Sequence, residues 1–259
     1  MRIPVLMYHE ISPAGRGSGL NAYLQKRYIV DEDIFDKQMA FLAGLKIRAR
    51  SIADTVSADG PGGILLTFDD GYAGNFERVL PILNKYGFKA VIFVTAEWVG
   101  KPLMLDWEQV KKLSSAGLEI GSHTYSHAML GELAADKVRF ELAKSKEIIE
   151  KNIGREVSAI SYPNGSTSPL VDKLAREAGY KYIFGSRFGY WDPAGKPQPV
   201  PRIIADNDLE GFARIVRREK TFVMGQKCWQ ALKAVPLAIL GKNLYNKLYL
   251  KIFRLKEIK

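Results

Sequence analysis

The sequence has 259 residues, 47% hydrophobic and 25% charged, which is enough for one α/β domain with a sizeable core. Its single cysteine, Cys228, excludes an intramolecular disulfide and favours a reducing compartment. Residues 226–259 hold eight Lys and Arg against one Glu, a charge of +7, which leaves +3 of the net +10 for residues 1–225. A nucleic-acid-binding body is therefore not expected.

The beginning of the chain is typical of a strand rather than of a targeting segment. The stretch MRIPVLMYHEI has one basic residue and a short apolar run with a proline, which does not fit a secretory signal. No apolar run in the sequence approaches the ~18 residues needed to span a bilayer. The sequence therefore predicts a cytoplasmic protein.

Short apolar runs rich in β-branched and aromatic residues alternate with segments of helical periodicity. The predicted strands are residues 3–8, 63–68, 89–94, 118–121, 157–161, 180–185 and, more weakly, 202–205. The predicted helices are residues 33–44, 74–86, 107–116, 133–151, 168–178 and 208–218. The glycine- and proline-bearing stretches 12–22 and 186–201 are predicted as loops.

This alternation predicts parallel strands covered by helices, and about seven such units predict an α/β barrel. In such barrels the chemistry lies at the carboxyl ends of the strands. Asp69 and Asp70 follow the second strand, HTYSH (123–127) follows the fourth, and YPNG (162–165) follows the fifth. His9 follows the first strand, so four polar clusters are expected at one mouth of the barrel.

Two of these clusters have the composition of a metal site. His123 and His127 are four residues apart, which places two imidazoles on one face of a helix or tight turn. With one aspartate they form a three-ligand set for a catalytic divalent cation such as zinc, and a fourth position stays open for water. A cation would also explain why Asp69 and Asp70 are adjacent, because one can bind it while the other stays ionised as a base.

Each motif alone has an ordinary explanation. Asp-Asp-Gly is most often a turn with solvated carboxylates, and Tyr-Pro-Asn-Gly is a common turn signal. A His-x-x-x-His pair usually lies on a helix surface. The combination favours a metal site, because the clusters follow strands of one predicted barrel and the chain has only three histidines.

With these motifs the sequence resembles the polysaccharide deacetylases, the NodB-homology carbohydrate esterases. The resemblance covers about residues 1–218 and is carried by LLTFDDGY, KAVIFV, LDWEQVKKLSSAGLEIGSHTYSH and ISYPNG. LMYHEI near the start and VPRI near residue 202 are similar to one branch, in which the acid histidine lies in an N-terminal MYH motif. The resemblance implies a distorted (β/α)7-type barrel, related to the TIM barrel, and metal-dependent hydrolysis of an N-acetyl or O-acetyl group on a sugar.

By this resemblance Asp70, His123 and His127 would hold the metal, with zinc expected and other divalent cations left open. Asp69 would be the general base that takes a proton from the attacking water. The metal and the backbone N–H of Asn164 would hold the oxyanion. An aromatic residue is common at that position in the family, but a backbone donor does not depend on the side chain.

Two further positions depart from the pattern of many family members. Ser161 stands where many carry an arginine that orients the base, so Arg202 is the candidate partner of Asp69; the alternative is an ordinary surface ion pair. The chain has no histidine after residue 127, so His9 is the candidate acid, because the first and last strands of a closed barrel are neighbours. The alternative is that His9 is a structural, hydrogen-bonded histidine.

Residues 219–259 are predicted as a tail separate from the catalytic barrel of residues 1–218. From Pro236 onward the pattern is that of an amphipathic helix with a basic polar face. Its apolar row is formed by Leu240, Leu244, Leu248 and Ile252. The charge of residues 226–259 favours an anionic membrane surface as partner, and docking on the barrel or on a second subunit is the alternative.

These features together predict a deacetylase at the cytoplasmic face of the membrane. Its expected partner is an acetylated sugar or glycolipid, such as a lipid-linked precursor of a surface polysaccharide or lipopolysaccharide, and no nucleic acid. One alternative is a catalytically silent carbohydrate- or glycolipid-binding protein, for which Ser161 is the only support in the sequence. Another is a different metal hydrolase, such as a deformylase or a phosphoester-cleaving enzyme.

Overall fold

The computed structural model describes residues 2–13, 28–57, 63–195 and 199–225, and the structural statements below concern these ranges. The chain divides into two units, residues 1–213 and 214–259. The basic segment predicted as a membrane-binding helix lies outside the described residues. Within the described ranges, each helix is too short or too polar to cross a membrane.

The apolar runs of the sequence form the strands of one main sheet. The strands are β1 Ile3–Tyr8, β2 Glu10–Ser12, β3 Ile29–Asp31, β4 Leu65–Phe68, β5 Val91–Val94, β6 Glu119–Ser122, β7 Ala159–Ser161, β8 Tyr182–Phe184, β9 Tyr190–Trp191 and β10 Ile203–Ile204. The α-helices are α1 Glu32–Gly44, α2 Ile52–Val56, α3 Leu80–Tyr86, α4 Trp107–Ser115, α5 Ala135–Ile153, α6 Pro169–Glu177 and α7 Leu209–Val216. A π-helical turn, Asn75–Val79, precedes α3, and 3₁₀ turns form at Leu130–Glu132 and Pro163–Gly165.

The main sheet has the strand order β10-β1-β4-β5-β6-β7-β8, and every neighbouring pair is parallel. β9 pairs antiparallel with the start of β1, while β2 and β3 form a separate parallel pair. All seven predicted strands form, and they are the seven strands of this order. Parallel strands covered on both faces are buried along their length, which is why the sequence shows them as continuous apolar runs.

A short segment, residues 200–204, joins the two edges of the curled sheet. Val200 forms a parallel bridge with Phe184 of β8, and the N–H of Gly185 donates to the carbonyl of Val200 at 3.0 Å. Shortly afterwards Ile203 pairs with Leu6 of β1. The segment therefore contacts both edges, and the sheet curls as the predicted distorted barrel requires.

One apolar cluster joins side chains from strands across the sheet. Val5, Leu65, Phe93 and Phe184 are fully buried in it, and the rings of Phe93 and Phe184 lie 5.1 Å apart. Burial of each such side chain stabilises the fold by about 1.5–3 kcal/mol. This packing fixes the positions of the strand ends, on which the functional residues lie.

The sequence pattern misses three short strands. β2, β3 and β9 have two or three residues each, too few for alternation to be recognised. β9 lies inside the stretch 186–201 that the sequence predicts as a loop, and most of the other predicted loop, 12–22, lies outside the described residues. The predicted helix 74–86 is a π-helical turn followed by α3, and Pro81, which has no N–H to donate, lies at that junction.

Candidate metal centre and active site

Three side chains from two strand ends meet at one point. Asp70 follows β4, His123 follows β6, and His127 lies four residues later in the same loop. The Nε2 atoms of His123 and His127 each lie 3.3 Å from Oδ1 of Asp70. Asp70 and His123 are buried and His127 is partly exposed, so the group is accessible from the His127 side.

The arrangement fits a divalent cation. Oδ1 of Asp70 is buried without a hydrogen-bond partner in the described structure, and an unsatisfied buried acceptor costs about 1–3 kcal/mol. Ligand atoms that bind a tetrahedral zinc ion at about 2.0–2.1 Å lie about 3.3 Å from one another. The two nitrogen–oxygen distances therefore match this geometry, and one carboxylate with two imidazoles leaves a coordination position open.

Left-handed backbone conformations direct these side chains. The φ angle is +73° at Asp70, +67° at Thr124 and +65° at His127. Such a conformation costs about 1–3 kcal/mol in a residue other than glycine, and it is least common for a β-branched residue such as Thr124. Gly71 has a φ of +82°, and a Cβ there would lie 3.1 Å from Cγ1 of Val94. The Asp-Asp-Gly turn therefore requires its glycine.

His123 is oriented by the end of β7. Its Nδ1 lies 2.8 Å from the carbonyl oxygen of Ser161, so Nδ1–H donates to that oxygen and Nε2 faces Asp70. Burial lowers the pKa of His123, but the charges of Asp69 and Asp70 outweigh burial and raise the pKa above its ordinary value of 6.5. A cation at this place would therefore compete with a proton for Nε2.

His127 is held by two contacts at the open side of the group. The indole of Trp98 stacks on its imidazole, with 4.8 Å between ring centroids and 21° between ring planes. The N–H of His127 donates to Oγ1 of Thr124 at 3.1 Å. Together these contacts restrict the ring even though its side chain is partly exposed.

Asp69, the neighbour of Asp70, faces a different cation. Nη1 of Arg202 donates to Oδ1 of Asp69 and Nη2 donates to Oδ2, both at 2.7 Å. Both side chains are buried, so this is an internal bidentate salt bridge and the alternative of a surface ion pair is wrong. Nη2 of Arg202 also donates to Oγ of Ser161 at 2.8 Å, so Ser161 belongs to the same network.

Arg202 reaches Asp69 because it lies in the segment that joins the two sheet edges. Val200 bridges to β8 just before it, and β10 pairs with β1 just after it. Nε of Arg202 donates to the carbonyl of Gly185 at 2.8 Å, and Nη1 donates to Oγ1 of Thr67 at 3.2 Å. The guanidinium is therefore held by Thr67 of β4 and by Gly185, which follows β8, as well as by the carboxylate.

The two adjacent aspartates are both kept ionised. Burial raises the pKa of Asp69, but Arg202, His123 and His9 outweigh burial and hold the pKa below its ordinary value. Burial also raises the pKa of Asp70, but the imidazoles of His123 and His127, each 3.3 Å from Oδ1, outweigh burial and hold the pKa well below its ordinary value. The pKa of Asp69 is thus lowered mainly by Arg202 and the pKa of Asp70 mainly by the two imidazoles.

His9 lies beside the same group of charges. It directly follows β1, and its ring packs against that of Tyr28 with 4.5 Å between centroids. Burial lowers the pKa of His9 below its ordinary value of 6.5, although the charges of Asp70 and Asp69 raise it. The structure thus places His9 in the field of both aspartates, and its role as the acid stays a prediction.

Asn164 lies in the 3₁₀ turn after β7 and is exposed. Its φ of +53° is left-handed, a conformation that asparagine tolerates better than most residues. The next two amides donate to carbonyl groups of the same turn, whereas no described backbone hydrogen bond uses the N–H of Asn164. Its side-chain Nδ2 lies 3.3 Å from Sδ of Met129. The oxyanion role of this N–H stays a prediction.

Comparison with known proteins assigns this arrangement to a family. Residues 57–183 match the family model named polysaccharide deacetylase. The chain is 31% identical over 180 residues to YxkH of Bacillus subtilis (strain 168). These residues cover 70% of this chain and 63% of YxkH. The chain contains a polysaccharide deacetylase domain. The residues of this deacetylase domain that match the family model include Asp69, Asp70, His123, His127 and Asn164, whereas His9 and Arg202 lie outside them.

Two further deacetylases show how far the similarity extends. The peptidoglycan-N-acetylmuramic acid deacetylase PdaA of Bacillus subtilis (strain 168) is 32% identical over 125 residues, which cover 48% of this chain and 46% of PdaA. The Streptococcus pyogenes deacetylase PplD, solved in complex with acetate, has the same fold, with a TM-score of 0.72 at 24% identity over 81% of this chain and 94% of PplD. The chain spans less than two thirds of the length of YxkH and of PdaA.

Motif reading misses some residues that surround the deacetylase-family site. Trp98 comes from the loop after β5, where nothing in the sequence marks it. Glu141 contacts the loop between the two histidines. The sequence feature that could have identified it is a charged residue on the apolar face of α5, beside Val138 and Leu142. Ser161 is visible only as a departure from the family pattern, and the structure shows that it accepts a hydrogen bond from Arg202.

Proposed function

We propose that this protein is a metal-dependent hydrolase that removes an N-acetyl group, or an O-acetyl group, from a sugar of a polysaccharide or glycolipid. The observation that carries the proposal is the meeting of Asp70, His123 and His127 around one buried oxygen that lacks a partner. The relative PdaA is a peptidoglycan-N-acetylmuramic acid deacetylase, which supports acetyl hydrolysis as the class of reaction.

Asp70, His123 and His127 would hold the metal, with both imidazoles presenting Nε2. A divalent cation such as zinc, when bound there, polarises an acyl oxygen and lowers the pKa of water. The carbonyl of Ser161 occupies Nδ1 of His123 and so keeps the Nε2 lone pair directed at Asp70. The substrate would approach from the partly exposed side of His127, next to Trp98.

Asp69 would accept the proton of the attacking water. Its Oδ2 accepts hydrogen bonds from Arg202 and from Ser161, whereas Oδ1 accepts one from Arg202 and one lone pair remains available. Arg202 also fixes the plane of the carboxylate, so the base is oriented before the substrate arrives. A positioned general base contributes about 10²–10⁴-fold to the rate.

His9 and Asn164 would complete the reaction. As the water oxygen bonds to the carbonyl carbon, negative charge develops on the carbonyl oxygen, and the N–H of Asn164 is the donor proposed to stabilise it. When the carbon–nitrogen bond breaks, protonated His9 would give its proton to the departing amine. The lowered pKa of His9 makes its protonated form a stronger donor and reduces the fraction protonated at neutral pH.

Acetate release from N-acetylated sugars tests the proposed function. We expect release by the purified protein, loss of release after treatment with a chelator, and recovery on addition of zinc or another divalent cation. His127→Ala should lose metal affinity while the protein remains folded by circular dichroism. Sugar binding without acetate release under every metal tested would identify a silent binding protein and reject the proposed reaction.

We further propose a lipid-linked sugar at an anionic membrane surface as the substrate. The support is the charge of residues 226–259, which is +7, and their amphipathic pattern. Flotation with anionic and neutral liposomes, with and without these residues, tests it. We expect the full chain to bind anionic vesicles but not neutral ones, and the chain without residues 226–259 to bind neither. Equal, negligible binding of the full and the shortened chain would reject the membrane location of the substrate. It would leave the proposed hydrolysis untested by this experiment and unchanged.

A further inference from the structure

A buried carboxylate outside the proposed ligand set contacts the loop between the two histidines. Glu141 lies on α5 and is 6% exposed. Its Oε2 accepts the N–H of Tyr125 at 3.0 Å and the N–H of Ser126 at 2.9 Å. Its Oε1 accepts the hydroxyl of Ser126 at 2.7 Å. One side chain therefore fixes two consecutive amides in the middle of this loop.

The loop that Glu141 holds is strained on both sides of those amides. Thr124 precedes them and His127 follows them, and both have left-handed φ angles. Non-glycine residues keep such conformations only where their surroundings over-determine them. The two oxygens of one carboxyl group can accept from two amides and a hydroxyl at once, so this side chain suits the task.

The same helix holds the beginning of the loop. Ser145, one turn after Glu141 on α5, lies with its Oγ 2.8 Å from Oγ of Ser122, the last residue of β6. Oγ of Ser122 in turn accepts the N–H of Thr124 at 3.0 Å. Two polar positions on the buried face of α5 thus fix the loop at its start and in its middle.

We propose that Glu141 is a positioning residue of the metal centre. By holding the two amides between His123 and His127, it sets the distance and angle between their Nε2 atoms without contacting substrate or metal. The inference rests on the proposed function, because it concerns the same metal site. Its consequence is that loss of Glu141 weakens metal binding in a protein that is still folded.

Zinc affinity of Glu141 variants tests this, measured with zinc alone by competition against a chromophoric chelator. Glu141→Leu removes all three acceptors, and we expect the dissociation constant to rise about 10–100-fold, as for other partners that orient metal ligands. Glu141→Asp keeps the charge but is one carbon too short to reach both amides, so weaker binding is again expected. Glu141→Gln should stay close to the wild type, because its amide oxygen accepts both N–H groups and its NH₂ donates to Ser126.

The matched control is Glu147→Leu, because Glu147 is an exposed position of the same helix. Its zinc affinity should equal that of the wild type. Denaturant unfolding of the zinc-free variants separates a loss of stability from a loss of positioning. Wild-type zinc affinity in folded Glu141→Leu would overturn the inference. If Glu141→Leu does not fold, wild-type zinc affinity in Glu141→Asp would overturn it instead. Absence of zinc binding in the wild type would instead overturn the proposed function itself.

Discussion

Two consecutive aspartates are compatible in this protein because different neighbouring groups lower the pKa of each. Asp69 forms a bidentate salt bridge with buried Arg202, and Asp70 lies between two imidazole nitrogens. The two carboxylates therefore differ in what they can do. Asp70 has an oxygen with no partner, which suits a ligand, whereas Asp69 is oriented and ionised, which suits a base.

Asp69→Asn should separate these two roles. The variant keeps the ligands Asp70, His123 and His127, so we expect zinc affinity close to that of the wild type. The rate of acetate release should fall about 10²–10⁴-fold, because the amide cannot accept the proton of water. Titration with zinc and an acetate assay at saturating zinc check both expectations, and near-wild-type turnover would remove Asp69 from the role of base.

Arg202→Met should destabilise the protein and change its pH profile. Removing one partner of a buried ion pair costs about 3–5 kcal/mol, which denaturant unfolding measures. Arg202 lowers the folded-state pKa of Asp69, so its contribution is present above the unfolded pKa and is lost as pH falls through the folded pKa. Without Arg202 that pKa rises, and the acid limb of the activity profile should move to higher pH.

A matched control for this variant is Arg139→Met. Arg139 pairs with Glu177 on the exposed surface at 2.9 Å. Exposed pairs contribute about 0–1 kcal/mol, so this variant should keep the stability and the pH profile of the wild type. Equal losses in the two variants would contradict the importance assigned to the buried pair.

Turns and loops, rather than strands, give the site its geometry. The turn after β4 and the loop after β6 both contain residues with left-handed φ angles. Helix α5 holds the loop after β6 through Glu141 and Ser145. The strands only bring these connections to the same end of the sheet. Small backbone changes in the turn should therefore alter metal binding more than equal changes elsewhere.

Gly71→Ala should test this at the first turn. Left-handed φ costs about 1–2 kcal/mol in a residue other than glycine, and the new Cβ would also lie 3.1 Å from Val94. We expect lower stability and weaker zinc binding, because Asp70 is the preceding residue. Gly87→Ala is the control: its φ is +65° and no atom lies within 4 Å of the added Cβ, so it should lose stability alone.

Strands and motifs were predictable from the sequence because both are local patterns. The buried parallel strands are continuous apolar runs, and the aspartate and histidine motifs directly follow them. The short strands β2, β3 and β9 were not predictable, because they depend on pairing with distant residues. Arg202 was predictable only as a candidate, since its contact with Asp69 depends on closure of the sheet, and Trp98 and Glu141 depend on how a loop and a helix pack against the histidines.

Metal binding should stabilise the complete fold, because its ligands come from the ends of two strands. At a free zinc concentration 100 times the dissociation constant, a ligand that binds only the folded state adds about 2.7 kcal/mol. His123 has a raised pKa in the metal-free protein, so protonation stabilises that form below about pH 6.5 and this contribution is lost as pH rises through the folded pKa. Zinc must displace that proton.

The stabilisation by zinc should therefore increase from pH 5.5 to pH 8. Thermal unfolding with and without zinc across this range measures it. His123→Ala, which lacks the titrating ligand, should show a smaller and flatter response at every pH. A stabilisation that decreases with rising pH in the wild type would contradict the assignment of His123 as a ligand.

Arg202 is separated from Asp69 by 133 positions in the chain, whereas every proposed metal ligand has been made once residue 127 is reached. During synthesis the nascent chain therefore contains its proposed cation-binding side chains before it contains the guanidinium that orients Asp69. We expect such nascent chains to be inert hydrolases until the final strand docks. The proposed base is then oriented only after this late segment has docked.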